Sequence, residues 1–266
     1  MRLGSIVAAG IFVAAAYVTV MQAATAGPWD QWRAGYEASL KAPDGWLSVA
    51  GLIWLHDGAN TIPLPNRKTA LVTFGNGKAV YENKLLKPDT TGHPDVLKFG
   101  DVAVTVIERG ERTGVRVRDP NAETRRNFTG CKWFPGSEAW RVEARWVAYA
   151  KPKSIAITNV LGMTDQEPSP GYAEFTVRGK QLRLEPVVEA GELFFMFKDA
   201  TSGKSTYGAG RFLYAVLPEG NTVELDFNKA TNPPCAFTAF ATCPLPPRQN
   251  ILPVAIEAGE KSYANH

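Results

Sequence analysis

Glu224, Asp226 and Asn228 stand at i, i+2 and i+4 at the end of an alternating segment. On a strand that spacing puts three polar side chains on one face, neighbours about 7 Å apart. Carboxylates at such separations suit the acid and base of a glycosidase, and the same pattern describes an ordinary solvated strand face. Asp226 stands apart because it enters Leu225–Arg248, an irregular stretch crowded with prolines. Each Pro removes a backbone donor, and a carboxylate there can collect the amides that remain. Asn228, Asn232 and Asn250 flank the same stretch, as turn formers or as ligand-binding amides. Tyr207 and Arg211 precede an apolar run. Arg211 either pairs with Asp226 or Glu260, or offers its guanidinium to an anionic ligand. Arg116 and Arg118 share a strand face beside Asp119, as an exposed basic stripe or as an anchor for the linker.

Other chemistries find little support. Of the three histidines, His56 lies in a turn, His93 in a Gly-Pro loop and His266 at the terminus. There is no G-x-S-x-G elbow, S-x-x-K pair, H-E-x-x-H helix or Walker loop. The spacing of Cys235 and Cys243 is not that of zinc ligands. No metal and no cofactor is expected.

The elements that position these residues read as β. Gly75-Asn76-Gly77 signals a hairpin between Leu71–Phe74 and Lys78–Tyr81. Val102, Val104 and Val106 alternate, as do Val115 and Val117. Trp140, Val142, Ala144 and Trp146 share a strand face opposite Arg141, Glu143 and Arg145. A second hairpin turns at Gly179-Lys180. Leu193–Phe197 and Phe212–Leu217 are continuous apolar runs, expected to be covered on both faces. Val223, Leu225 and Phe227 face inward. Ahead of these, Pro28 to Lys41 reads as one helix, with Trp29, Trp32, Tyr36 and Leu40 on an aromatic face suited to crossing a sheet. The fold class is all-β, mainly antiparallel, sandwich or barrel-like, with one N-terminal helix.

The chain divides, on this reading, into a signal peptide (1–26), a helix plus β unit (27–118), a linker without clear period (119–136) and a C-terminal β unit carrying the Pro/Cys-rich motif (137–266). The first segment has a basic start, a long apolar run and a small-x-small site at Ala24-Thr25-Ala26. Cleavage there predicts a secreted or periplasmic protein with no remaining transmembrane segment. Losing Arg2 from 29 basic residues leaves 28 against 26 acidic ones, too balanced for a nucleic-acid partner. In an oxidising compartment Cys235 and Cys243 are the natural disulfide pair, worth about 2.5 kcal/mol by chain entropy. The alternative is that all three cysteines, Cys131 included, are reduced and packed.

The residues resemble a family, the secreted bacterial and archaeal proteins grouped as domain of unknown function 1684. The motifs are Asp44-Gly45-Trp46-Leu47, Arg116-Val117-Arg118-Asp119, Phe197-Lys198-Asp199-Ala200-Thr201-Ser202-Gly203, Asp226-Phe227-Asn228-Lys229-Ala230, Asn232-Pro233-Pro234-Cys235 and Cys243-Pro244-Leu245-Pro246-Pro247, closing with Asn250 and Ala258-Gly259-Glu260. The resemblance implies an architecture and an exported or envelope location, and no reaction. Thr231 departs from it, standing where the family usually has an aromatic. The unit from 27 to 118 also resembles a forkhead-associated domain, through Gly58-x-Asn60, Ile62 and Leu64-Pro65.

These residues point to an exported β protein that binds a small molecule, a sugar or other cell-envelope ligand, or serves as a scaffold. Tyr207, Arg211, Asp226, Asn228, Asn232, Asn250 and Glu260 are its candidate ligand-binding residues. The alternative is an envelope hydrolase using the carboxylates near Asp226 and Glu260.

Overall fold

The computed structural model describes residues 27–263. The proposed signal peptide, 1–26, lies outside them. Helix α1 (Asp30–Leu40) is followed by fifteen strands in four sheets, all paired antiparallel.

The first half is a sandwich. Strand β1 (Val49–Trp54) leads into a meander of β2 (Gly58–Pro63), β3 (Thr69–Gly75), β4 (Lys78–Tyr81) and β5 (Lys84–Leu85). Strands β6 (Val96–Phe99), β7 (Val102–Arg109) and β8 (Arg112–Arg118) return to pair with β1 in the order β1-β8-β7-β6. Alternation has its expected effect: Val104, Val106, Val115 and Val117 meet Ile62, Val72 and Ala79 in one apolar core. The β3–β4 turn is the Gly75-Asn76-Gly77 one, with Asn76 and Gly77 at positive φ.

Residues 119–136 hold a single short helix, α2 (Glu123–Arg126), and run back along the first half; Thr124 Oγ1 donates to Leu47 O at 2.7 Å. The second half is a half-barrel. Strands β9 (Arg141–Thr158), β10 (Thr164–Val177), β11 (Lys180–Leu184) and β15 (Thr222–Asp226) form one sheet, ordered β11-β10-β9-β15. Strands β12 (Val187–Glu189), β13 (Glu192–Phe197) and β14 (Arg211–Ala215) form another. Their facing sides enclose the largest core, with Phe175, Phe195, Phe197, Leu213, Leu225 and Phe227 among its members.

Some expectations need correction. In the apolar run from Phe212, Phe212, Leu213 and Ala215 are buried, while Tyr214, Val216 and Leu217 are exposed. Asn228 shares no strand face with Glu224, because β15 ends at Asp226 and Phe227–Lys229 is a turn of 3-10 helix. Helix α1 does not cross a sheet either. Its ring face stacks Trp32 on Tyr36 at 5.8 Å, both edge-on to Trp133, and docks on the irregular C-terminal stretch. Among the described residues no helix is long and apolar enough to cross a membrane.

Candidate functional site

The irregular stretch is ordered mainly by side chains that replace missing backbone partners. Asn228 accepts from Ser137 N and donates to Ser137 O, both at 2.9 Å, so its amide pairs with both backbone groups of one residue as a strand neighbour would. Asn250 does the same to Glu185, both bonds 2.8 Å, and donates also to Met196 O. Both are fully buried, and a buried amide with its bonds filled is framework.

Arg211 is buried as well, and its partner is Asp199 at 2.7 Å rather than Asp226 or Glu260. The guanidinium also donates to Ile256 O at 2.9 Å and to Ala258 O, which pins the C-terminal tail to β14. Asp226 is held from another side. Its carboxylate accepts from Trp29 Nε1 at 2.9 Å and from Asn228 Nδ2 at 2.8 Å, with Lys229 Nζ at 3.5 Å. Tyr207 donates to Cys235 O at 3.2 Å, and burial pushes its phenol up to about 12.

Cys235 and Cys243 are free thiols, not the expected disulfide. Cys235 N donates to Cys243 Sγ at 3.1 Å. The thiols are hydrogen-bonded to each other, which lowers Cys235 and, with burial, raises Cys243. Both pack in an apolar cluster with Ile155, Ile157 and Phe194, where neutral thiols behave as small apolar groups.

Glu260 is fully buried, and burial pushes its carboxyl up to about 7. Oε2 accepts from Asn232 N at 2.8 Å and from Tyr36 Oη at 3.4 Å, while Oε1 has no hydrogen-bond partner. Asn232 Nδ2 donates to Lys261 O at 2.8 Å; its Oδ1 is buried and unpartnered.

Above Asn232 lies a cavity of about 680 Å³. Its floor is the apolar face of Ile157, Val187, Phe194, Met196 and Phe212. Tyr36 and Leu40 of α1, Trp46 and Arg109 close it from the N-terminal side. The Pro/Cys-rich motif supplies Thr231, Asn232, Pro234, Thr242, Cys243 and Pro244. Asp165, Glu167 and Glu189 stand along it, Glu189 accepting from Tyr214 Oη at 2.6 Å. A second groove of about 600 Å³ shares Tyr36, Tyr214 and Thr231 with the cavity, and Asp226 lines it.

Of the residues singled out in the sequence, Asn232 lines the cavity and Asp226 the second groove. Glu260 sits behind Tyr36 and Asn232, while Tyr207, Arg211, Asn228 and Asn250 line neither. The carboxylates of Asp226 and Glu260 do not share a cavity wall. Sequence reasoning missed Trp46, Arg109, Phe194, Phe212 and Tyr214 as cavity residues. Their signal was that of core and surface residues on alternating strands, which does not show where two layers fail to meet. Among the described residues no group of His, Cys, Asp and Glu is arranged to hold a metal ion.

The stretch that carries the motif and the half-barrel matches a known family without an assigned activity. The chain belongs to the family described as Protein of unknown function (DUF1684), whose model matches residues 126–261. It is also similar to the solution NMR structure of an uncharacterized protein from Haloarcula marismortui, at 30% identity over 53% of this chain and 81% of that one, with a TM-score of 0.45. No curated protein matches.

Proposed function

We propose that the protein is an exported binding protein of the cell envelope, taking a sugar or a similarly hydroxylated ring in the cavity. The observation that carries this is the wall itself. Tyr36, Trp46 and Tyr214 offer aromatic surface, while Asn159, Asn232 and Thr242 offer hydrogen-bonding groups among apolar neighbours. Apolar walls with a few placed polar groups are the usual composition of a small-molecule site, and aromatic faces suit the C–H faces of sugar rings. Export rests on the apolar N-terminal run and the Ala24-Thr25-Ala26 site.

The test is calorimetric titration with glucose, cellobiose and N-acetylglucosamine oligomers, alongside Tyr214→Ala. Tyr214 is 42% exposed, its ring stacked on Phe194 at 4.7 Å, so its truncation should weaken binding well beyond the modest loss of melting temperature that goes with that contact. No heat from any of these sugars counts against a sugar site.

A second reading, an envelope hydrolase, has one observation in its favour. A carboxyl raised to about 7 is matched to general-acid work at neutral pH, and Glu260, which does not line the cavity itself, would reach it through Tyr36, whose Oη bonds Oε2 at 3.4 Å. On that reading Glu260→Gln abolishes turnover of the same oligomers and leaves their affinity intact. Unchanged turnover removes the reading.

A further inference from the structure

Arg116 is 4% exposed, and its side-chain Nε and Nη2 make no hydrogen bond. It lies on β8 between Val115 and Val117, which point into the first core, so its own side chain points the other way, toward the second half. There its guanidinium sits 5.0 Å over the ring of Trp46. Nε and Nη2 are buried without a partner. The charges around it make matters worse: Arg109 and Arg118 repel it, and the near carboxylate, Asp89, already pairs with Arg109 at 2.7 Å. Burial, together with those two arginines, lowers its guanidinium to about 10, so it still carries its charge at neutral pH.

A buried, unpaired cation costs stability, and in folded proteins buried charges are paired or hydrogen-bonded. Among the described residues nothing supplies that partner. Trp46, Arg109 and Cys243, each in ring or electrostatic contact with Arg116, all line the main cavity. Thr242 lines it too and accepts from Arg109 Nε at 3.1 Å. On this side the cavity is lined by Trp46, Arg109 and Cys243, with Arg116 immediately behind them, while Asp165, Glu167 and Glu189 stand among its other lining residues.

We propose that this end of the cavity binds a single anionic group of the ligand, a carboxylate or a phosphate, with Arg116 as its counter-charge. The ligand is then an acidic or phosphorylated sugar rather than a neutral one. The proposal rests on the cavity being the ligand site and adds the charge of what enters it. Arginine suits the task because its planar fork meets both oxyanions in the same geometry. The three carboxylates limit the ligand to one anionic end, since a second would face them.

The test compares wild-type protein with Arg116→Met and Arg116→Lys. Thermal melts are run in sodium phosphate and in sodium chloride of equal ionic strength, and titrations use glucose, glucuronate and glucose 6-phosphate. Arg116→Met, which replaces an uncompensated charge by an apolar chain, should melt above wild type in chloride. Phosphate should raise the melting temperature of wild type well beyond that of Arg116→Met, the variant removing the general salting effect from the comparison. Glucuronate or glucose 6-phosphate should bind wild type about tenfold or more above glucose, a preference lost in Arg116→Met and partly kept in Arg116→Lys. A lower melting temperature for Arg116→Met in chloride makes the residue structural and overturns the proposal. So does an anion response equal in both proteins, or absent from both. Glucose and glucuronate binding alike to wild type overturns the proposal and leaves the sugar cavity standing. An Arg116-dependent phosphate response without any sugar binding does the reverse.

Discussion

Glu260 is a carboxyl whose ionisation the fold resists. Its carboxyl is raised from 4.5 to about 7 by burial. Arg211, Tyr36, Cys131 and Tyr263 are the titratable groups around it, and Arg211 is already paired with Asp199. With the folded value above the unfolded one, the folded state holds a proton that the unfolded chain has released. Stability is therefore greatest below the unfolded value and falls as pH rises through the folded one, by something of the order of 3 kcal/mol. Melting temperatures between about pH 5 and about pH 8 should fall in wild type and flatten in Glu260→Gln. An identical slope in both would assign the dependence elsewhere. Asp226 and Glu224 give a second contrast at this scale. Asp226 holds Trp29 and Asn228, whereas Glu224 is 54% exposed and pairs only with Arg141 on the surface. Asp226→Ala should cost about 1–3 kcal/mol or more and Glu224→Ala no more than about 0.5 kcal/mol. Equal losses on thermal denaturation would refute the distinction. The weight of Asp226 was legible from its place before the prolines. Its partners were not, because Trp29 lies 197 residues away and no local pattern encodes such a contact.

The elements follow their sequence closely wherever one alternating face meets a core. The β3–β4 and β10–β11 hairpins fall at their Gly signals, and β9 buries Ala144 and Trp146 while Arg141, Glu143 and Arg145 stay exposed. What sequence could not supply is the length of β9 and β10. Their ladder holds register from Thr164 to Ser169, breaks, and resumes at Gly171 against Ala148. Pro152 and Pro170 fall in the break, where the missing amides cost no ladder bond. Gly171 makes the rejoining possible, since a Cβ there would stand 2.4 Å from Val147 O and 2.7 Å from the Trp146 ring. Gly75, at the end of β3, has nothing within 4 Å of its Cβ position. Gly171→Ala should therefore cost about 1–3 kcal/mol through overpacking, and Gly75→Ala should stay within about 0.5 kcal/mol of wild type. Chemical denaturation of the two variants measures this, and a neutral Gly171→Ala would show that the break can shift without strain.

At the scale of the molecule, periodicity tells which strand face is apolar and leaves open what covers the other. Arg116 illustrates the gap. An alternating Val-Arg-Val strand reads as half exposed, yet the second half of the chain lies over the arginine. The halves are joined by Thr238 Oγ1 donating to Val49 O at 3.2 Å, by Arg109 on Thr242, and by a shared cluster of Leu40, Leu47, Phe128 and Phe237. The cavity is a product of that joining, which is why no segment announces it. Thr231 has a particular place in it. Its backbone exchanges two 2.9 Å hydrogen bonds with Phe212, fixing it to β14, and its side chain lines both the cavity and the second groove. Thr231, with Tyr36 and Tyr214, forms the wall shared by two spaces of about 680 and about 600 Å³, each large enough for a sugar ring or more. An aromatic ring at this position would divide them. If the two spaces are continuous, affinity should rise as the oligomer lengthens beyond what one space holds. Thr231→Tyr should cancel that rise while leaving the shortest bound sugar at its wild-type affinity. Titrating both proteins with a series of oligomers of increasing length decides it. A length dependence that survives in Thr231→Tyr would mean that the second groove binds nothing, and that longer ligands gain their contacts outside it.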